Sequence, residues 1–264
     1  MRRALIAAFV IVLPAVASAE TLNLYAAGSL RAALTDVVRA FEAKSGGLRV
    51  ETEFAASGLL RERIEKGEVA HVFASADLGH PKKLADAGLA RTQVGIFARN
   101  RLCAVARVGL SVAPAGLLDT LLDPGVRVGT STPKADPSGD YAFALFAKAE
   151  ARKPGAKAAL EAKALQLTGG PSSEKAPDGR NQYAWVMESG KADIFLTYCT
   201  NAVLARKEVP ALQILQIAPE LNVGADYGMI VLKNAPVAAD KLATFIRSEE
   251  GQAILVGYGF GRGD

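Results

Sequence analysis

Between Leu22 and Gly88 the chain passes three times through a short apolar strand pattern, a turn of small residues and a helical repeat, and no other feature narrows its fold so far. Leu22 and Leu24 open the first unit and Ala26-Ala27-Gly28-Ser29 form its turn. Leu30, Leu34, Val37, Val38 and Phe41 then recur at the spacing that lines one face of a helix, which Gly46-Gly47 stops. In the second unit Leu48, Val50, Thr52 and Phe54 alternate with Arg49, Glu51 and Glu53, a strand with one polar face. Ser57-Gly58 leads from it into a helix bearing Leu59, Leu60 and Ile64, closed by Gly67. The third unit is a strand from Val69 to Ser75, a turn at Asp77, and a short helix with Pro81 near its start and Gly88 at its end. Parallel strands need a crossover between them, so this alternation predicts an α/β fold with a parallel sheet and helices on its faces.

From Asn100 the pattern changes. Leu102 to Val108 reads as an extended crossing segment, followed by a helix from Pro114 to Leu122 and a strand from Val126 to Gly129. The turn-rich stretch from Ser131 to Asp140 leads to a helix from Tyr141 to Arg152. The loop from Gly169 to Arg180 leads to a helix from Gln182 to Ser189 and a strand from Ala192 to Tyr198. A strand from Tyr227 to Leu232 and helices from Val237 to Arg247 and from Glu249 to Val256 supply enough chain to return. The expected organisation is a first lobe of residues 20–101 and 220–264, a second of residues 102–219, and a hinge of two crossing segments.

Ahead of the first strand, Arg2 and Arg3 precede an apolar run from Ala4 to Val16 and the small residues Ala17-Ser18-Ala19, the pattern of a secretory signal peptide (residues 1–19) cut before Glu20. A membrane anchor needs roughly twenty apolar residues, and this run is shorter. The expected exported product is soluble and holds 245 residues, enough for two cores of about 120 each. Its net charge, +4 for the whole chain, falls to +2 without Arg2 and Arg3. That near balance argues against a nucleic-acid partner, which calls for a clustered basic face. Export also puts Cys103 and Cys199 where disulfides persist. Spacing alone does not pair them, and two buried free thiols are the alternative. Because each lies near a lobe crossing, their α-carbons are expected within the roughly 7 Å that a bridge requires.

Little in the chain suggests catalysis. His71 and His80 stand in no zinc-type spacing, and there is no G-x-S-x-G elbow, P-loop or Cys-x-x-Cys. A surface or capping role is expected for both histidines. Asp77, Asp136, Asp140 and Asp178 are isolated carboxylates in turns, where solvated aspartates are common. What does recur is a serine beside a glycine where a strand or turn hands over to a helix: Gly28-Ser29, Ser57-Gly58 and Ser138-Gly139. Such points gather unpaired N–H groups at the positive end of a helix dipole, and a hydroxyl adds a donor, so they suit an anion. In open α/β sheets ligands bind beyond the carboxyl ends of the strands, where these turns fall. The plainer reading is that each serine caps its own helix.

Four segments carry a family resemblance: Leu24-Tyr25-Ala26-Ala27-Gly28-Ser29-Leu30, Ala56-Ser57-Gly58-Leu59-Leu60-Arg61, Phe73-Ala74-Ser75-Ala76-Asp77, and Leu196-Thr197-Tyr198-Cys199-Thr200-Asn201-Ala202. With them the sequence resembles the molybdate-binding proteins of ABC importers. The resemblance implies the type II periplasmic binding protein fold: α/β and two-lobed, each lobe a mainly parallel sheet flanked by helices. It further implies a monomeric periplasmic protein that captures molybdate or tungstate for a permease and ATPase complex of the inner membrane, needs no cofactor and catalyses no reaction. In that family the oxyanion is held without countercharge by serine hydroxyls, backbone N–H groups and a tyrosine hydroxyl, which implies Ser29, Ser57 and Tyr198 here. The small residue of a Pro-x-Gly-like turn adds a contact, and Asp136-Pro137-Ser138-Gly139-Asp140 implies Ser138. A backbone N–H at the start of the helix before the tyrosine strand adds another, for which Gly179 and Arg180 compete. These groups touch the oxygens of the anion; none coordinates the metal itself.

Departures from the family pattern are His71, where an acidic residue is usual, the longer and more polar stretch 132–140, and Arg180. An inward Arg180 guanidinium would add charge to a neutral site, and solvent exposure at the helix start is the alternative. The rivals are a binding protein for sulfate or a phosphonate, an exported enzyme on the same fold, and the effector module of a transcription regulator. The last needs a basic helix-turn-helix and no leader, and the chain meets neither condition.

Overall fold

Strand β1 (Thr21–Ala27) buries Leu22, Leu24 and Ala26 in the alternation its sequence shows, flanked in parallel by β2 (Arg49–Ala55) and β3 (Val72–Ala74). The protein is described here over residues 20–263 by a computed structural model; the expected leader lies outside the described residues. Helix α1 (Arg31–Lys44) buries Ala33, Leu34, Val37, Val38 and Phe41, the stripe read from the sequence. Helices α2 (Ser57–Glu65) and α3 (Gly79–Asp86) complete the three units.

Strand β4 (Gly95–Ala106) is the first crossing. Through Arg101 it pairs with β9 (Gly224–Val231); from Leu102 it pairs with β7 (Ile194–Tyr198), and from Cys103 also with β8 (Gln213–Gln216). One strand therefore serves both lobes, and the chain returns to the first lobe between β8 and β9. The second lobe adds α4 (Leu117–Leu122), β5 (Val128–Ser131), α5 (Pro137–Glu150), α6 (Ala156–Lys163), β6 (Leu165–Thr168), α7 (Gln182–Glu188) and α8 (Cys199–Glu208). Helices α9 (Ala238–Arg247) and α10 (Glu249–Gly257) and the short β10 (Gly261–Arg262) end the chain against the first lobe and β4. The sheet order is β2-β1-β3-β9-β4-β7-β5-β6, with β8 and β10 also on β4. Pairs within β1–β3 and within β5–β7 are parallel, as expected, whereas every pair made by β4 or β9 is antiparallel. Both lobes thus join through a mixed centre formed by the hinge strands.

The cysteines bridge. Cys103 on β4 and Cys199 at the start of α8 form a disulfide with α-carbons 4.8 Å apart, which rules out the free-thiol alternative. The surface expectation fails for His80, which is only 5 % exposed; Asp77 rather than His80 serves the start of α3, its carboxylate accepting the His80 N–H at 3.1 Å. His71 is half-buried, and its Nδ1 accepts the Asn23 N–H at 2.9 Å, tying β3 to β1.

Candidate functional site

Ser29 lies in the 3-10 turn Gly28–Leu30 directly after β1, and its Oγ sits 3.0 Å from Tyr227 Oη on β9. Ser57 is the first residue of α2, just after β2, and is fully buried. Its Oγ accepts the Ala76 N–H at 3.1 Å. Ala76 follows β3, and its carbonyl accepts from Tyr198 Oη at 3.3 Å. Tyr198 is the last residue of β7 and 1 % exposed, so this bond crosses from the second lobe to the first. The Tyr198 ring packs 5.5 Å from that of Tyr227 and 6.1 Å from that of Tyr141. Ser57 and Tyr198 thereby meet at Ala76, and Ser29 and Tyr198 at Tyr227, at the carboxyl ends of parallel strands from both lobes. Tyr227 Oη, the Ala76 N–H and the Ala76 carbonyl, the partners of these three side chains, are all neutral groups.

Ser138 approaches from the start of α5. That helix begins at Pro137, four residues before the expected Tyr141, because Asp136 caps it and proline suits its first position. The Asp136 carboxylate accepts the Ser138 N–H at 3.0 Å, which takes up the backbone donor the resemblance implied. What Ser138 keeps is its hydroxyl, fully buried and without a protein partner. None of the three serines caps its own helix: the starts of α2 and of the Ser29 turn have no side-chain cap, and α5 uses Asp136.

The loop before Asp136 closes the seam. Lys134 has φ of 67°, the only positive value outside glycine among the described residues, and its N–H is held by Asp140 Oδ1 at 2.9 Å. This strained turn aims the Lys134 and Ala135 carbonyls at α2, where the Gly58 N–H donates to Ala135 O at 2.8 Å. A Cβ on Gly58 would stand 2.5 Å from Lys134 O and 2.7 Å from Ala135 O. The lobes therefore close backbone to backbone, and only glycine fits.

Burial sets the protonation of the site. It raises the hydroxyls of Tyr141, Tyr198 and Tyr227 well above the usual tyrosine value and pushes Tyr183 up to about 12, so all four keep the proton that makes them donors. Burial also pushes the Asp136 carboxyl up to about 6, against the pull of its bonds to Ser138 and Ser131. It lowers His80, whose two ring nitrogens have no partner, with Asp77 3.9 Å away.

Gly179 and Arg180 are not brought into this cluster. The Arg180 guanidinium pairs with Glu188 and Glu208 on the surface, each at 2.6 Å. The Arg180 N–H bonds Pro177 O, the Asn181 N–H bonds Glu208, and the Asn181 side chain caps α7. Tyr227, Tyr141 and Asp136 were missed as site residues: Tyr227 and Tyr141 were read only as strand and helix members. The Asp136-Pro137 pair is a helix-start signal that could have revealed the cap. An open groove of about 490 Å³ lined by Arg101, Ile214, Phe260 and the disulfide lies at the hinge and contains none of the four hydroxyls.

The family described as bacterial extracellular solute-binding protein matches residues 22–261. An uncharacterized protein of Pasteurella multocida (strain Pm70) is 40 % identical over 207 residues, 78 % of this chain and 85 % of its own length. The molybdate-binding protein ModA of Mycobacterium tuberculosis (strain ATCC 25618 / H37Rv) is 28 % identical over 92 % of this chain and 85 % of its own. Among solved structures, the sulfate-binding protein SubI from Mycobacterium tuberculosis H37Rv superposes with a TM-score of 0.76 at 19 % identity, covering 93 % of this chain and 88 % of that one.

Proposed function

The chain belongs to the bacterial extracellular solute-binding protein family, and from that premise we propose that it captures molybdate between its lobes, with tungstate as a near-equivalent ligand. As a solute-binding protein of an ABC importer it would hand the anion to a membrane permease driven by an ATPase. The observation that carries the reading is the meeting of Ser57 and Tyr198 at Ala76 and of Ser29 and Tyr198 at Tyr227, with the unpartnered Ser138 hydroxyl entering from α5.

A dehydrated dianion can be held by fixed neutral donors, because hydrogen bonds to an ionised partner are about twice as strong as those between neutral groups. Tyrosines that burial keeps protonated suit such a shell. The Tyr198 hydroxyl oxygen, 3.3 Å from Ala76 O, makes a long hydrogen bond whose proton an anion can draw away. Size separates the candidates, since a cage fitted to molybdate stretches its bonds to the smaller sulfate. Asp136 and Asp140 both stand at the α5 start, where their carboxylates compete with the anion for the dipole.

Thermal unfolding with an anion panel tests the reading. Ligand at about a hundred times its Kd adds roughly 2.7 kcal/mol, which for a chain of this size raises Tm by about 5–10 °C. Molybdate and tungstate at micromolar levels are expected to do so, and sulfate or phosphate far less. Strong stabilisation by sulfate or a phosphonate with none by molybdate would make the ion wrong; no response to any anion would sink the site.

A further inference from the structure

Asn100 stands on β4 beside the handover from one lobe to the other. Its Oδ1 accepts the Arg101 N–H at 2.9 Å, which fixes the orientation of its amide. Nδ2 therefore faces Thr200 Oγ1 at 2.8 Å and Tyr227 Oη at 3.4 Å. An amide nitrogen only donates, so the phenol oxygen accepts from it. The phenol has one proton, and its other neighbour is Ser29 Oγ at 3.0 Å. Tyr227 then donates to Ser29, and Ser29 keeps its own proton for whatever lies on its other side.

The Tyr227 ring cannot swing away from this task. It is fully buried and packed edge-on against Phe97 and Phe260, with ring centres 6.3 and 5.5 Å away. Ser57 reaches the same state by another route, since its Oγ accepts the Ala76 N–H and so has its proton left to give. Two serines, one governed by a side-chain relay and one by a backbone N–H, are both set as donors.

We propose that Asn100 and Tyr227 are positioning residues that hold the Ser29 hydroxyl as a hydrogen-bond donor, and so fit the site to fully deprotonated oxyanions over those that carry a proton. The proposal rests on the oxyanion reading above. A proton on the anion needs an acceptor, and a serine with one lone pair engaged by Tyr227 and its proton turned to the anion meets that oxygen as a donor. The relay also spans the hinge: Asn100 sits on the crossing strand β4 and Tyr227 on its first-lobe neighbour β9, and Thr200 lies on α8 of the second lobe.

Calorimetric titration of the exported-length protein with sodium molybdate and sodium phosphate at pH 8 tests it, in the wild type, Tyr227→Phe and Asn100→Asp. Both ligands are then chiefly dianions, but only phosphate carries a proton. Tyr227→Phe keeps the ring contacts and frees Ser29 to accept; molybdate affinity is expected to fall about tenfold while hydrogenphosphate holds or gains. Asn100→Asp turns the donor into an acceptor and reverses the relay, so the molybdate-to-hydrogenphosphate ratio is expected to fall by at least as much. The ratio is the deciding readout, because a general loosening of the fold or an added charge weakens both dianions alike. An unchanged ratio in folded variants overturns the positioning role and leaves the oxyanion site standing. Absence of oxyanion binding in the wild type overturns both. Should Tyr227→Phe fail to fold, as its apo melting curve would show, Asn100→Asp decides alone.

Discussion

Gly58→Ala separates closure of the lobes from stability of either lobe. The added Cβ would lie 2.5 Å from Lys134 O, where ordinary contact begins at 3.4 Å, so the seam must open by close to 1 Å at that point. Overpacking of this kind costs about 1–3 kcal/mol. Opening also lengthens the 2.8 Å bond from Gly58 N–H to Ala135 O, a further 0.5–1.5 kcal/mol or about that. Together these predict a loss of anion affinity of about 1.5–4.5 kcal/mol, roughly tenfold to two-thousandfold. The apo protein should respond in the opposite direction. Gly58 sits inside α2 with no positive φ, so alanine there favours the helix by about 0.5–1 kcal/mol once the lobes part. Gly139→Ala is the contrasting control, because its Cβ would meet Ser131 O at 2.5 Å and Pro133 N at 2.7 Å, atoms of its own lobe. That change should lower apo Tm. Calorimetry for affinity and ligand-free melting for stability read the two arms. Undiminished affinity in Gly58→Ala, or a parallel fall in its apo Tm, would refute the claim that this contact belongs to the closed seam.

Asp136 predicts a pH dependence. Its folded value of about 6 stands above the ordinary 3.8, so as pH rises from about 4 to 6 the unfolded chain sheds this proton first and stability falls, by up to roughly 3 kcal/mol above pH 6. Asp136→Asn keeps a good cap for the Ser138 N–H and should raise Tm at pH 8 with no gain at pH 4; equal effects at both would deny the buried charge. The disulfide closes a span of 96 residues, for which chain entropy allows about 4–5 kcal/mol, so reduction should lower Tm by on the order of 10 °C. A melting curve indifferent to reductant would count against a structural role.

The first lobe was legible because its burial follows period. Leu30 to Phe41 and Leu22 to Ala26 mark helix and strand by apolar spacing alone, and the structure buries those faces. Helix α8 was not legible: it buries Thr200, Asn201, Ala202 and Ala205, and half of that face is polar. Strands β6 and β8 are four residues each, too short to show a period. The antiparallel centre was hidden as well, since a pattern of burial does not state which way a crossing strand runs.

In the candidate site, Ser29, Ser57 and Ser138 stand at serine–glycine turns written in a few adjacent residues, and Tyr198 was reached only through the family resemblance. Their hydrogen-bonding roles depend on partners far along the chain: Ser29 on Tyr227, Ser57 on Ala76, Tyr198 on Ala76, and Gly58 on Ala135. Sequence alone determined where strands hand over to helices and which small hydroxyl residues stand there, because propensity, capping and period are properties of neighbours. Only the tertiary structure decided which hydroxyls keep a free proton, because a donor's direction is set by what packs against it, and two of those partners, Asn100 and Tyr227, come from distant strands paired beside the hinge.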